Sequence, residues 1–195
     1  HPDDGCFGGD RFRGADFRFL SSNVRRTSTG RTLLEPFVIR RVGGVRVAFV
    51  GVTLEGTPQI VTPSGVAGLR FGDEAAAINR LVPRLRRRGV QTIVALVHEG
   101  GFPTGSYNAC PGISGPITDI VSRTSREVDL FITGHTHQAY NCVLDGRRVT
   151  SAASFGRLIT DVDLRIDRRT GETRRVRARN RIVTRRVRDD RHLIR

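Results

Sequence analysis

The sequence contains no lysine, methionine or tryptophan among its 195 residues, and it has only 2 tyrosines, 3 cysteines and 5 histidines. The scarcity of tyrosine and tryptophan argues against a surface that stacks nucleic-acid bases. The cysteines form no Cys-x-x-Cys pair, which excludes the usual spacing of a structural zinc site. No apolar run approaches the ~20 residues of a membrane-spanning helix. We therefore expect no membrane span in this chain and no binding of nucleic acid.

Arginine is abundant and supplies all of the positive charge. The chain has 33 arginines, a formal net charge of +14 and a pI of about 11.5. Such a balance favours anionic partners, although an arginine-biased solvated surface would give the same composition. The length suits one sizeable domain. Because residue 1 is histidine, we expect the sequence to be part of a longer protein, and the lack of a signal sequence says nothing about secretion.

Local patterns predict a mixed α/β domain. Asp73 precedes apolar residues spaced at helical intervals and Gly89 follows them, which predicts a helix over 73–88 with a kink at Pro83. Continuous apolar runs predict strands buried on both faces at 91–97 and 128–133. The remaining predicted elements are a strand at 17–24, a hairpin at 37–52, a helix at 113–124, a hairpin around 145–146, and strands at 158–167 and after the turn at 170–171.

Three histidines follow the two predicted buried strands. His98 ends one strand, and His135 and His137 follow the other after Gly134, which we expect to turn the backbone out of the strand. Loops at the carboxyl ends of strands build sites in open α/β sheets, and imidazole binds zinc, iron or manganese. The alternative is that the His-x-His pair is simply exposed to solvent. His1 and His192 lie in polar surroundings and are interpreted as solvated.

Three segments carry a resemblance to a known family: LVHEGG, VDLFITGHTHQAYNC and TSAASFGRLITDVDL. With FLSSNV and the segment from 36 to 58, they resemble the calcineurin-like metallophosphoesterases, specifically the secreted bacterial 5'-nucleotidase group. The resemblance covers residues 17–167 approximately. It implies an α/β (α+β) fold, a four-layer αββα sandwich that is incomplete here, and an extracellular, periplasmic or cell-surface location.

The resemblance also implies two divalent metal ions, zinc, manganese, iron or similar. His98 and His135 match ligands of one ion, and His137 matches a ligand of the other. The implied reaction is hydrolysis of a phosphate ester, most directly a nucleoside 5'-monophosphate. The alternatives are a 2',3'-cyclic nucleotide phosphodiesterase of the same fold, or a basic nucleic-acid-binding module with incidental histidines. Glu99, Thr136 and Gln138 are candidates for orienting the imidazoles.

The chain departs from the family pattern at both ends. The family's Asp-x-His, bridging-aspartate and Gly-Asn-His-[Glu/Asp] motifs have no counterpart, so no catalytic residue is assigned and the catalytic histidine is expected upstream of residue 1. We expect residues 1–180 to be the C-terminal part of the metallophosphoesterase domain, residues 181–195 to be its Arg-rich end or a linker, and the chain alone to be inactive. The resemblance further implies a Cys110–Cys142 disulfide and an upstream partner for Cys6; two buried free thiols are the alternative.

Overall fold

A computed structural model describes residues 15–186 and residue 188. Cys6, His1, His192 and most of the predicted arginine-rich end lie outside these residues. In the described part, none of the helices has the length and apolar character needed to cross a membrane. The elements are, in chain order, β1 (Val24–Arg26), β2 (Phe37–Val42), β3 (Val45–Thr53), β4 (Leu69–Phe71), α1 (Glu74–Arg87), β5 (Thr92–His98), α2 (Pro116–Arg123), β6 (Leu130–Thr133), β7 (Ala139–Leu144), β8 (Arg147–Ala152), β9 (Leu158–Ile166) and β10 (Thr173–Ile182).

A six-stranded mixed sheet forms the centre, in the order β2-β3-β5-β6-β8-β7. The four inner strands are parallel to one another, and the outer strands β2 and β7 are antiparallel to their neighbours. Inner strands that are covered on both faces need apolar side chains at every position. This explains why the β5 and β6 segments show no alternation. The parallel arrangement also brings the carboxyl ends of β3, β5, β6 and β8 to one edge.

The sheet lies between two different layers. Helices α1 and α2 cover one face, where Ile78, Leu85 and Ile120 pack with apolar side chains of the sheet. The β9–β10 hairpin covers the other face and contributes Val162 and Val176. The fold class is therefore α/β, and the described residues form three layers of an αββα sandwich.

Most predicted elements are confirmed, and one is wrong. Helix α1 begins after Asp73, whose carboxylate accepts a hydrogen bond from the Ala76 amide at 2.6 Å, and it continues through Pro83. Of the predicted strand at 17–24, residues 17–23 are instead an irregular segment with a single bridge at Leu20, and Val24 begins β1. The irregular segment passes directly over β3, so that a Cβ atom on Gly51 would lie 2.5 Å from the Leu20 carbonyl oxygen. This close crossing replaces strand pairing.

Candidate metal centre

The three predicted histidines lie at the carboxyl edge of the central sheet. His98 is the last residue of β5, and His135 follows the end of β6 by two residues. The two strands are adjacent and parallel, with Val97 paired to Thr133. The rings of His98 and His135 consequently approach to 5.3 Å between centroids, inclined at 62°. The structure thus brings two imidazoles from separate strands together, as the strand-end argument predicts.

His137 has a different neighbour. Its ring packs edge-on against Phe155, with 5.7 Å between the centroids. No choice of one nitrogen from each of the three histidines places all three atoms within 4.8 Å of one another. Among the described residues, the one group of at least three potential metal ligands that meets this limit consists of carboxylates. His98 and His135 therefore form a pair, and His137 stands apart on the same loop.

The loop backbone after β6 is strained at the histidines themselves. The φ angles of His135 and His137 are 64° and 56°, in the left-handed region that non-glycine residues seldom occupy. Gly134 itself does not have a positive φ, so the left-handed backbone of this turn lies at the two histidines. Ala153 and Phe155, on the facing loop, have φ angles of 58° and 60°. Strain of this kind clusters at functional sites, where the surrounding structure maintains it.

The side chains proposed to orient the imidazoles hold the loop backbone instead. The Thr136 hydroxyl donates to the Gly101 carbonyl at 3.1 Å, and the Gln138 amide donates to the Thr136 carbonyl at 3.4 Å. The buried Glu99 carboxylate accepts from the Gly100 amide at 2.8 Å. In the described structure Thr136 and Gln138 therefore hold the loop that carries His135 and His137, and Glu99 holds the backbone next to His98.

The electrostatic surroundings favour a neutral ring on His98. Desolvation lowers the pKa of His98, and His135 and His137 lower it further, against an opposing contribution from Glu99. Neutral imidazole is the form that coordinates a metal ion. The ligand chemistry therefore fits a transition-metal ion or zinc. Three imidazoles are nevertheless fewer donors than two four-coordinate ions require, so these residues fit part of a two-metal ligand set.

The acidic group lies near the N-terminus of α1. It consists of Glu55, Asp73 and Glu74. Asp73 caps the helix and forms an ion pair with Arg123 at 2.7 Å, and Glu74 accepts from the Glu55 amide at 2.7 Å. Burial raises the pKa of Glu74. Two of these carboxylates are thus engaged in holding the helix end, which accounts for the cluster without a metal ion.

A disulfide joins the loop after β5 to strand β7. Cys110 and Cys142 are bonded with their Cα atoms 5.1 Å apart, and 32 residues separate them in sequence. Cys142 is fully buried in the core beneath the helices. The expected disulfide is present, and it ties the long segment that follows His98 to the strand that follows His137.

Sequence reasoning did not identify Phe155 as part of this site. Its side chain is 82% exposed, it contacts His137, and the Arg157 guanidinium lies 5.3 Å above its ring. The amide of Ala153 donates to the Gln138 carbonyl at 3.0 Å, which joins the two strained loops. The sequence signal that could have identified Phe155 is an aromatic residue directly before Gly156, within a segment that carries the family resemblance.

Comparison with known proteins gives relatives but no matching protein-family model. The endonuclease YhcR of Bacillus subtilis (strain 168) is 32% identical over 159 residues, which cover 82% of this chain and 13% of that protein. The 5'-nucleotidase of Vibrio cholerae serotype O1 is 28% identical over 127 residues, or 64% of this chain and 22% of the relative. The chain thus spans less than a quarter of the length of either relative.

Solved structures give the same fold. The 5'-nucleotidase precursor from Thermus thermophilus matches with a TM-score of 0.70 and 24% sequence identity, over 87% of this chain and 34% of that structure. At this identity the likeness establishes the architecture: the central sheet with its helical layer and hairpin is an arrangement found in that larger structure.

Proposed function

Because the chain belongs to the 5'-nucleotidase family of calcineurin-like metallophosphoesterases, we propose that it carries part of the metal centre of a phosphate-ester hydrolase. The substrates we propose are nucleoside 5'-monophosphates. The observation that carries the proposal is the approach of His98 and His135 to 5.3 Å at the carboxyl edge of adjacent parallel strands. Similarity to the Vibrio cholerae 5'-nucleotidase supports the choice of substrate.

The chain's own residues contribute ligands and their positioning. His98 and His135 would hold one divalent ion, and His137 would hold the second. Thr136 and Gln138 hold the loop through hydrogen bonds of their side chains to the Gly101 and Thr136 carbonyls. When bound, a pair of divalent cations supplies electrophilic charge to the phosphate and lowers the pKa of a water molecule. Phe155 packs edge-on against the His137 ring.

The extent of the domain and its location belong to the same proposal. Residues 1–180 are the C-terminal part of the metallophosphoesterase domain, and residues 181–195 form its arginine-rich end or a linker. Strand β10 ends at Ile182, and the Val183 amide still donates to the Arg157 carbonyl at 3.0 Å. The hairpin thus runs past residue 180, which favours the end of the domain over a linker for the first of residues 181–195. The Cys110–Cys142 disulfide supports an extracellular, periplasmic or cell-surface location, since such bonds persist in oxidising compartments.

Metal binding by the 195-residue chain tests the ligand assignment. Equilibrium dialysis against Zn²⁺ or Mn²⁺ should give stoichiometric uptake. His98→Ala or His135→Ala should weaken binding by at least about 100-fold, because even residues behind the ligands typically cost 10–100-fold. His192→Ala is the matched control and should leave uptake unchanged. If the chain takes up no metal, or if uptake is unchanged in both His98→Ala and His135→Ala, the ligand assignment is refuted.

A second candidate function is phosphodiester cleavage. Similarity to the endonuclease YhcR and the net charge of +14 both favour it. Phosphorus NMR of the Zn²⁺-loaded chain titrated with AMP or 2',3'-cyclic AMP separates the two. We expect tighter binding of AMP, because its phosphate is a dianion, and no appreciable turnover of either compound by the chain alone. A preference for the cyclic diester would favour the second candidate, and rapid turnover would contradict the expected inactivity.

A further inference from the structure

A second pocket lies at the opposite edge of the central sheet from the histidines. It has a volume of about 270 Å³ and opens between three segments. These are the residues before β6, the turn from β7 to β8, and the start of β10. Because β6 and β8 are parallel, this edge holds their amino-terminal ends. The pocket is therefore separate from the candidate metal centre.

The pocket wall is strongly basic. Its charged residues are five arginines and one aspartate: Arg126, Asp129, Arg147, Arg148, Arg174 and Arg175. The aspartate is turned to the backbone, where its carboxylate accepts from the Ile93 amide at 2.8 Å. Arg174 is neutralised by Asp167 at 2.9 Å. Within the part of the chain that is described, Arg126, Arg148 and Arg175 form no ion pair.

Arg147 places a buried cation beside the pocket. Its side chain is only 6% exposed and donates to the carbonyls of Val121, Thr124 and Ser125 at the end of α2. The nearest carboxylate is that of Asp145, at 3.5 Å. Burial lowers the pKa of Arg147, and the nearby Asp145 carboxylate opposes this shift. An anion in the pocket would add a second negative charge to that of Asp145.

Arg148, which also lines the pocket, has a guanidinium nitrogen without a hydrogen-bond partner among the described residues. One of its terminal nitrogens donates to the Asn141 side chain at 3.0 Å. The unpartnered nitrogen is Nε, which is buried, and within the described structure the buried Nε atom of Arg147 likewise has no partner. Buried donors without acceptors are rare in folded proteins, and a water molecule or an ion is the usual partner of such a group. Guanidinium groups present a planar fork that suits the oxygen atoms of phosphate.

We propose that this pocket binds a phosphate anion of the size of inorganic phosphate or pyrophosphate, with Arg126, Arg148 and Arg175 donating hydrogen bonds and Arg147 supplying fixed charge. The volume is small for a whole nucleotide, since ligand sites for drug-sized molecules begin at roughly 300 Å³. The site is independent of the proposed hydrolase activity. It requires no metal ion and lies on the other edge of the sheet.

Calorimetric titration of the 195-residue chain in EDTA tests this site. Pyrophosphate and phosphate should bind saturably with one site per chain, at constant ionic strength. Arg148→Gln and Arg175→Gln should each raise the Kd by about 10-fold or more, because a hydrogen bond to a charged group contributes about 1.5–3 kcal/mol. Arg70→Gln and Arg87→Gln remove the same charge from exposed positions elsewhere and should change the Kd by less than about 2-fold.

Several results would overturn the proposal. If no saturable binding is seen, or if the affinity falls equally in all four variants, the anion is attracted only by the net charge and not by this pocket. Loss of binding in His135→Ala would place the anion at the metal centre. Titration with AMP distinguishes the source of the phosphate: much weaker binding than pyrophosphate identifies a free anion, and equal binding identifies a phosphate ester as a second natural ligand of the same site. Circular dichroism melts check that each variant folds.

Discussion

The two faces of the central sheet are stabilised in different ways. On the helix face, Ile78, Leu85 and Phe131 are fully buried within one large apolar core. On the hairpin face, Val47, Val94 and Leu130 are the fully buried members of the apolar cluster among the described residues, and its other apolar side chains remain partly exposed. Burial of apolar area is the main favourable contribution to folding. The comparison indicates that the helix face provides most of the stability.

The hairpin face depends instead on a polar attachment. Asn180 of β10 is 1% exposed, and its side-chain amide donates to the carbonyls of Tyr107, Tyr140 and Ser151. Its carbonyl oxygen accepts from Thr160 at 2.6 Å. A single buried amide therefore connects both strands of the hairpin to the sheet and to the loop after β5. Specific hydrogen bonds position this layer where apolar packing is thin.

Reduction of the Cys110–Cys142 disulfide should have the largest effect, because it crosslinks the helix-face core. A closed segment of this length stabilises by about 4 kcal/mol through the entropy of the unfolded chain. Urea unfolding with and without dithiothreitol measures the difference. Cys6→Ser is the control and should show the same loss on reduction. A loss under about 1 kcal/mol would mean that the crosslink contributes little to this core.

Matched isoleucine substitutions compare the two faces directly. Ile93 of β5 is fully buried on the helix face, and Ile132 of β6 is partly buried on the hairpin face. Ile93→Ala should lower the free energy of unfolding by about 3 kcal/mol, and Ile132→Ala by about 1 kcal/mol, because the cost grows with burial and with the cavity left behind. Equal losses in urea unfolding would contradict the proposed difference between the faces.

Loss of the buried amide tests the polar attachment. Asn180→Ala should destabilise the fold by about 2 kcal/mol, because it removes donors from buried carbonyl groups that then lack partners. Hydrogen exchange should increase in β9 and β10 before it increases in β5. Arg177→Ala, at an exposed position of the same strand, should cost under about 0.5 kcal/mol. Unchanged exchange in the hairpin would show that the amide does not hold this layer.

Much of the fold was predictable from local signals. The Gly43–Gly44 turn, the capping residue Asp73 and the continuous apolar runs of β5 and β6 are short-range features, and each specified its element correctly. The segment before β1 was not predictable, because its path depends on the close crossing over Gly51. Such a contact joins residues that are distant in sequence and leaves no periodic pattern.

The sequence predicted where the candidate site lies, but it did not predict the contacts and backbone conformation around the histidines. Strand ends brought His98 and His135 together as expected, whereas their role as metal ligands stays a prediction. Phe155 was missed because its contact with His137 depends on how two loops meet. The strain at His135 could not be foreseen, since a preceding glycine indicated that the turn would occur there.

The left-handed backbone at His135 and His137 places stability and function in opposition. Glycine adopts these φ angles without steric cost, whereas a histidine is destabilised by about 1 kcal/mol or more at each position. Selection for thermal resistance alone would therefore favour glycine at both positions and would remove both imidazoles. A more thermostable variant should therefore keep His135 and His137. Stabilising substitutions should be placed on the hairpin face, where apolar side chains remain partly exposed.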